Sequence, residues 1–160
     1  MRKLCCILPL FALLAGCNHN KDLMPFLGKW SGEFQVSEIQ GGGTAKDMKR
    51  ESIRGYIQVY ATSRSYKMEM EGEQETIDIS GAWTIKGHRI TLLPETIKID
   101  DQGGVDARDP NKKFIPAEEV QKAYGRPILL SESEDKKSLT GLKTTIGKLT
   151  GTHRFVKDSF

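Results

Sequence analysis

The chain has 160 residues, the length of one domain, and carries 24 Lys and Arg against 21 Asp and Glu, a formal charge of +3. Two of those cations, Arg2 and Lys3, sit in a segment that reads as a removable leader. Without them 22 cations face 21 anions, and the charge-based case for a nucleic-acid partner disappears. Hydrophobic residues make up 38%, enough for a small core, and no apolar run reaches the roughly 18 residues of a spanning helix.

Met1-Arg2-Lys3 forms a short positive start, and Leu4 to Ala15 is an apolar stretch of signal length. Leu14-Ala15-Gly16-Cys17 follows, with small residues ahead of the cysteine, as a signal peptidase requires. An ordinary secretory signal, or a buried apolar segment with an incidental cysteine, would read similarly up to that point. The block Leu-Ala-Gly-Cys resembles the lipobox of bacterial lipoproteins. That resemblance implies that the Cys17 thiol takes a diacylglycerol, that cleavage falls before it, and that its new amine is acylated by a fatty acid such as palmitate. It also implies an envelope location, lipid-anchored, with Asn18 rather than Asp after the cysteine pointing to the outer membrane. Two or more acyl chains hold a protein firmly, at about 0.8 kcal/mol per buried methylene. The expected division is 1–16 signal peptide, 17–25 lipidated Cys17 and tether, and 26–160 folded domain. Cys5 and Cys6 fall in the signal, so the domain is left without a disulfide, a thiolate nucleophile or a thiolate metal ligand.

From Phe26 onward the period is two. Ile53, Ile57 and Val59 share one face of their segment; Tyr66, Met68 and Met70 alternate with Lys67, Glu69 and Glu71. Ile77 and Ile79, Trp83 and Ile85, Ile90 and Leu92, and Ile97 and Ile99 continue the pattern. Turn signals at Gly41-Gly42-Gly43, Thr62-Ser63, Glu71-Gly72-Glu73, Lys86-Gly87-His88, Gly103-Gly104 and Glu134 to Lys137 separate these runs. About eight to ten short strands at this spacing predict a mainly β fold, an antiparallel meander suited to closure as a barrel or tight sandwich. Pro116 to Gly125 breaks the pattern and predicts one short helix, opened by Pro and acidic residues, closed by Gly, with Val120 and Tyr124 on one face. It lies in an excursion from about Asp100 to Pro127 and would either cover a sheet edge or act as a lid. The last segment alternates Leu149, Gly151, His153 and Phe155 with Thr150, Thr152, Arg154 and Val156.

Residues of catalytic or metal-binding type do not assemble into a pattern. His19, His88 and His153 lack ligand spacing, so neither a metal nor another cofactor is expected. Asp100 to Asp109 is acidic and glycine-rich but lacks the ligand order of a calcium loop. Ser133 to Lys136 spells Ser-x-x-Lys in a charged turn with nothing to desolvate the lysine, and Glu118 and Glu119 diverge on their helix. No catalytic residues are assigned, and the chain is not expected to be an enzyme.

Gly28-Lys29-Trp30 at the first strand resembles the Gly-x-Trp opening of lipocalin and calycin-like barrels. The resemblance implies that Trp30 fills the closed end, that Gly28 lets the chain enter tightly, and that an Arg of the last strand, here Arg154, stacks on the indole. The family's second motif, Thr-Asp-Tyr, is absent. Ser80 to Leu92, with Gly81-Ala82-Trp83 and Ile90-Thr91-Leu92, is similar to a hairpin of small lipocalin-like bacterial lipoproteins, including envelope-stress copper-resistance proteins. Their Cys-x-x-Cys is missing here, so their copper or redox chemistry does not carry over. The large side chains Trp30, Tyr66, Met68, Met70 and Trp83 either fill the barrel or line a ligand pocket. The leading expectation is therefore a membrane-anchored protein that binds a lipophilic or other small ligand. The alternative is a filled barrel that docks another envelope protein. Nucleic acid is not an expected partner.

Overall fold

The computed structural model describes residues 23–101, 109 and 112–159. The expected signal, Cys17, His19 and most of the acidic Asp100–Asp109 loop lie outside them. The remaining order is β1 (Gly28–Ile39), α1 (Ala45–Arg50), β2 (Ile53–Val59), β3 (Ser65–Glu71), β4 (Glu75–Lys86), β5 (Arg89–Asp101), α2 (Ala117–Tyr124), β6 (Ile128–Glu132), β7 (Ser138–Ile146) and β8 (Leu149–Lys157). The eight strands form a closed antiparallel barrel in sequence order, a lipocalin-like arrangement, with β1 paired to both β2 and β8. Closure pairs each strand with two neighbours, β5 with β6 over only part of its length, and so limits the edge available to template aggregation.

Alternation sets the inside of the barrel. Ile57, Tyr66, Met68, Met70, Ile77, Ile79, Ile90, Leu92 and Phe155 point inward and are fully buried. Each such side chain contributes about 1.5–3 kcal/mol relative to an exposed position. Close contact between strands needs glycine on the wall. A Cβ at Gly32 would stand 2.0 Å from the Arg154 carbonyl oxygen, so this crossing of β1 and β8 excludes any side chain. On β1 the register shifts between Val36 and Glu38. The bulge reverses the alternation, and Ile39 therefore packs against the core although it is odd-numbered and Trp30, Phe34 and Val36 are even.

Two helices, not one, accompany the strands among the described residues. α1 starts at Thr44, whose hydroxyl accepts from the Asp47 N–H, while the Asp47 carboxylate accepts from the Thr44 N–H at 2.9 Å. This reciprocal cap holds a helix of six residues that buries none of its side chains. α2 is the expected helix, with Val120 and Tyr124 buried on one face. Its place follows from an unequal wall. β6 has five residues and pairs with β5 only through Arg89–Leu92, although β5 runs on to Asp101. α2 touches β5 and β7 and so covers the stretch that β6 is too short to reach.

Candidate functional site

One end of the barrel is closed. Trp30 is wholly buried there and donates its indole N–H to the Phe26 carbonyl at 2.9 Å. Gly28, at φ +103°, turns the chain into β1 in a conformation that side chains rarely adopt. The cation over the indole is Lys157, whose Nζ lies 5.2 Å from the ring centre and donates to the Pro25 carbonyl at 2.6 Å. The expectation for Arg154 is thereby corrected. It lies on the exposed face of β8, because Phe155 and His153 on either side of it point inward. Lys157 has the inward parity of those two residues and reaches the position that the resemblance assigned to arginine.

The middle of the barrel is filled. Tyr66, Met68 and Met70 are at most 1% exposed and belong to one continuous core with Ile57, Ile77 and Ile79. Trp83 is buried beside them and donates its indole N–H to the Tyr60 carbonyl at 3.0 Å. None of Trp30, Tyr66, Met68, Met70 and Trp83, the residues expected to line a ligand pocket, lines the cavity at the barrel's open end.

The barrel opens at the other end. A cavity of about 900 Å³ lies between the end of β1, the start of β2, the β3–β4 turn, the β7–β8 turn and the segment leading into α2. Ile39, Ile53, Ile146 and Leu149 supply an apolar wall, and Phe114 and Ile115 face them from that segment. Charges of both signs are mixed into the lining. Glu51 and Glu75 are buried carboxylates; Arg50, Arg54, Lys113 and Lys148 are the cations of the lining. The Glu51 carboxylate receives the Arg50 guanidinium at 3.6 Å and the Lys113 ammonium, which neutralises a charge that burial alone would make costly. Such a space can hold a hydrocarbon body against the isoleucines and a polar head among the ion pairs.

Beside the helix that flanks this mouth sits an unusual histidine. His153 is 1% exposed, boxed by the rings of Phe34, Tyr124 and Phe155 at centroid distances of 5.0, 5.6 and 5.9 Å. Neither ring nitrogen has a hydrogen-bond partner, and burial lowers its pKa to about 4. The Tyr124 hydroxyl is buried without a partner as well, and burial pushes its pKa upward. His88 is exposed, with Nδ1 3.4 Å from Glu132. Among the described residues no three His, Cys, Asp or Glu side chains cluster as a metal site would need.

The cavity lining comes from segments that alternation does not pair. The bulge before Ile39 reversed its face. The tight β7–β8 turn at Gly147, with φ +58°, brings Ile146 and Leu149 together. A hairpin signal was present in Ile146-Gly147-Lys148-Leu149, and the Thr44–Asp47 cap was readable too.

Closed β-barrel, blocked base and open mouth together define a lipocalin-like barrel. Comparison with protein-family models, curated proteins and solved structures gives no match to this chain.

Proposed function

We propose that this is a membrane-anchored envelope lipoprotein that binds an amphipathic small molecule in the mouth of its barrel. The observation that carries the binding is the cavity of about 900 Å³, large enough for a molecule of lipid or drug size and lined by isoleucines alongside the buried Glu51 carboxylate and its cations. The anchor rests on Leu14-Ala15-Gly16-Cys17 at the end of an apolar leader. The filled interior favours a second reading, in which the mouth receives a side chain or segment of another envelope protein.

Titration with the fluorescent amphiphile N-phenyl-1-naphthylamine tests the first reading. The wild-type protein should bind it saturably at one site. Leu149→Arg, which sets a charge in the apolar wall, should weaken binding about tenfold or more. Met68→Leu, a volume-conserving change in the filled interior, should leave the affinity unchanged. Absence of saturable binding would abandon the small-molecule reading for the protein-docking one. The anchor is tested separately in the host. Cys17→Ser should release the protein from the membrane fraction and remove the acyl mass, and retention with unchanged mass would refute the lipoprotein reading.

A further inference from the structure

Because the strands alternate in direction, the entry to β1, the β2–β3 turn at 60–64, the β4–β5 turn at 86–89, the β6–β7 turn at 133–137 and the end of β8 all lie at the closed base. Main-chain hydrogen bonds join these pieces in a row. The Trp83 N–H donates to the Arg64 carbonyl at 3.1 Å, the Glu132 N–H to the His88 carbonyl at 2.8 Å and the Lys157 N–H to the Lys137 carbonyl at 2.9 Å. The base is thus one connected surface and not three separate loops.

Its charge is positive. Arg64, Lys86, Arg89, Lys136 and Lys137 are exposed in the turns, against the exposed carboxylates of Glu134 and Asp135. Asp135 is engaged within its own turn, accepting from the Ser133 hydroxyl at 2.5 Å and the Lys137 N–H at 3.1 Å. Glu132 is a third carboxylate here, with a side chain only 2% exposed beside His88. At the end of β8 Lys157 is held on the Pro25 carbonyl and Asp158 on the Ser31 hydroxyl, and their charges cancel. The cavity lining at the mouth has the opposite sign, with four Lys and Arg against five Glu. Apolar surface accompanies the cations of the base. Met24 is 64% exposed on the entry segment, and Tyr60 is 45% exposed at the start of the β2–β3 turn. A tyrosine beside lysines and arginines suits the head-group layer of a membrane, which satisfies both its ring and its hydroxyl. The chain before Leu23 also enters here, and Asn18–Asp22 can span at most about 20 Å. A bilayer holding Cys17 would therefore lie next to this surface and not next to the mouth.

We propose that the closed base is a docking surface for an anionic lipid bilayer, with the cations of its three turns on the negative head groups and Tyr60 and Met24 seated among them. That a bilayer lies beside the base rests on the anchor reading; the affinity of the base for anionic lipid does not. Attraction of this kind follows the lipid charge and fades beyond about 10 Å at 0.1 M salt. Docking turns a single point of attachment into a fixed orientation of the barrel.

Fluorescence quenching by lipid, on the full chain, tests the docking. The native cysteines are all Ser, so acylation plays no part, and the apolar stretch Leu4 to Ala15 holds every chain on its vesicle. A dye is attached at Thr62→Cys on the base or at Ala45→Cys on α1 beside the mouth, and the vesicles carry a quencher on their head groups. On phosphatidylcholine vesicles with about 30% phosphatidylglycerol in about 0.05 M salt, quenching at position 62 should exceed that on pure phosphatidylcholine about threefold or more. In about 0.5 M salt it should fall to the neutral level. The dye at position 45 should stay unquenched on both. Lys86→Glu with Arg89→Glu, or Lys136→Glu with Lys137→Glu, should each remove most of the gain, while the emission of the buried Trp30 and Trp83 checks that the barrel is intact. Quenching at position 62 that ignores lipid charge, or that persists in both reversed variants, overturns the docking surface. Equal quenching at positions 45 and 62 overturns it as well, since the barrel then presents no preferred end. The host fractionation of Cys17→Ser succeeds or fails independently of these results.

Discussion

Trp30→Ala should lower the stability of the domain by about 3–5 kcal/mol, seen as a fall in the urea midpoint with an unchanged slope. The indole is wholly buried, and truncation removes its contacts and leaves a cavity at the closed end of the barrel. It also orphans the Phe26 carbonyl, which loses its 2.9 Å hydrogen bond in a buried site. The same comparison separates two cations. Lys157→Met keeps the stem over the ring but removes the donor to Pro25, and should cost about 1–2 kcal/mol. Arg154→Ala, on the exposed face, should change stability by less than about 0.5 kcal/mol. A larger loss from Arg154→Ala than from Lys157→Met would return the closing role to the arginine.

The second large effect is acid sensitivity centred on His153. Its pKa in the folded protein is about 4, below the ordinary histidine value of 6.5, because burial among three aromatic rings disfavours the imidazolium. The unfolded chain therefore takes up the proton first. The stability that a neutral His153 contributes is complete above about pH 6.5 and is lost as the pH falls toward 4. That gap corresponds to about 3 kcal/mol. His153→Leu should flatten the pH dependence by this amount when urea unfolding at pH 7 is compared with pH 4. At pH 7 the variant should be no less stable than the wild type beyond about 1 kcal/mol, since neither ring nitrogen gives up a hydrogen bond. Equal slopes of stability against pH in the two proteins would remove His153 as the source.

The barrel itself was legible because its signal is local. Tyr66, Met68 and Met70 could face only one way once Lys67 and Glu69 stood between them, and the same logic placed His153 inside and Arg154 outside. Assigning Arg154 to the Trp30 ring therefore ran against the alternation of its own strand. Lys157, three residues later, satisfies both the alternation and the need for a cation at the closed end. The helix over Val120 and Tyr124 was legible from its spacing, but its role was not. That role depends on β6 stopping at Glu132, a matter of unequal strand lengths. The mouth was the least legible part. Ile39 reaches it through a bulge, Ile146 and Leu149 through a turn, and Glu51 through a helix set by the Thr44–Asp47 cap. Three separate local features converge there, and none of them advertises the others.

The strand count has a geometric consequence. An even number of antiparallel strands returns the chain to the end where it started. Met24 and Pro25 meet Lys157 beneath Trp30, while the open mouth lies at the far end of a twelve-residue β1, a contour of about 40 Å. Whatever is joined to either terminus, whether a fatty anchor, an affinity tag or a fused protein, is attached at the base. On the proposed anchor at Cys17, the mouth is the end of the barrel away from the attachment. Tethered to a sensor surface by either end, it would leave the opening unobstructed.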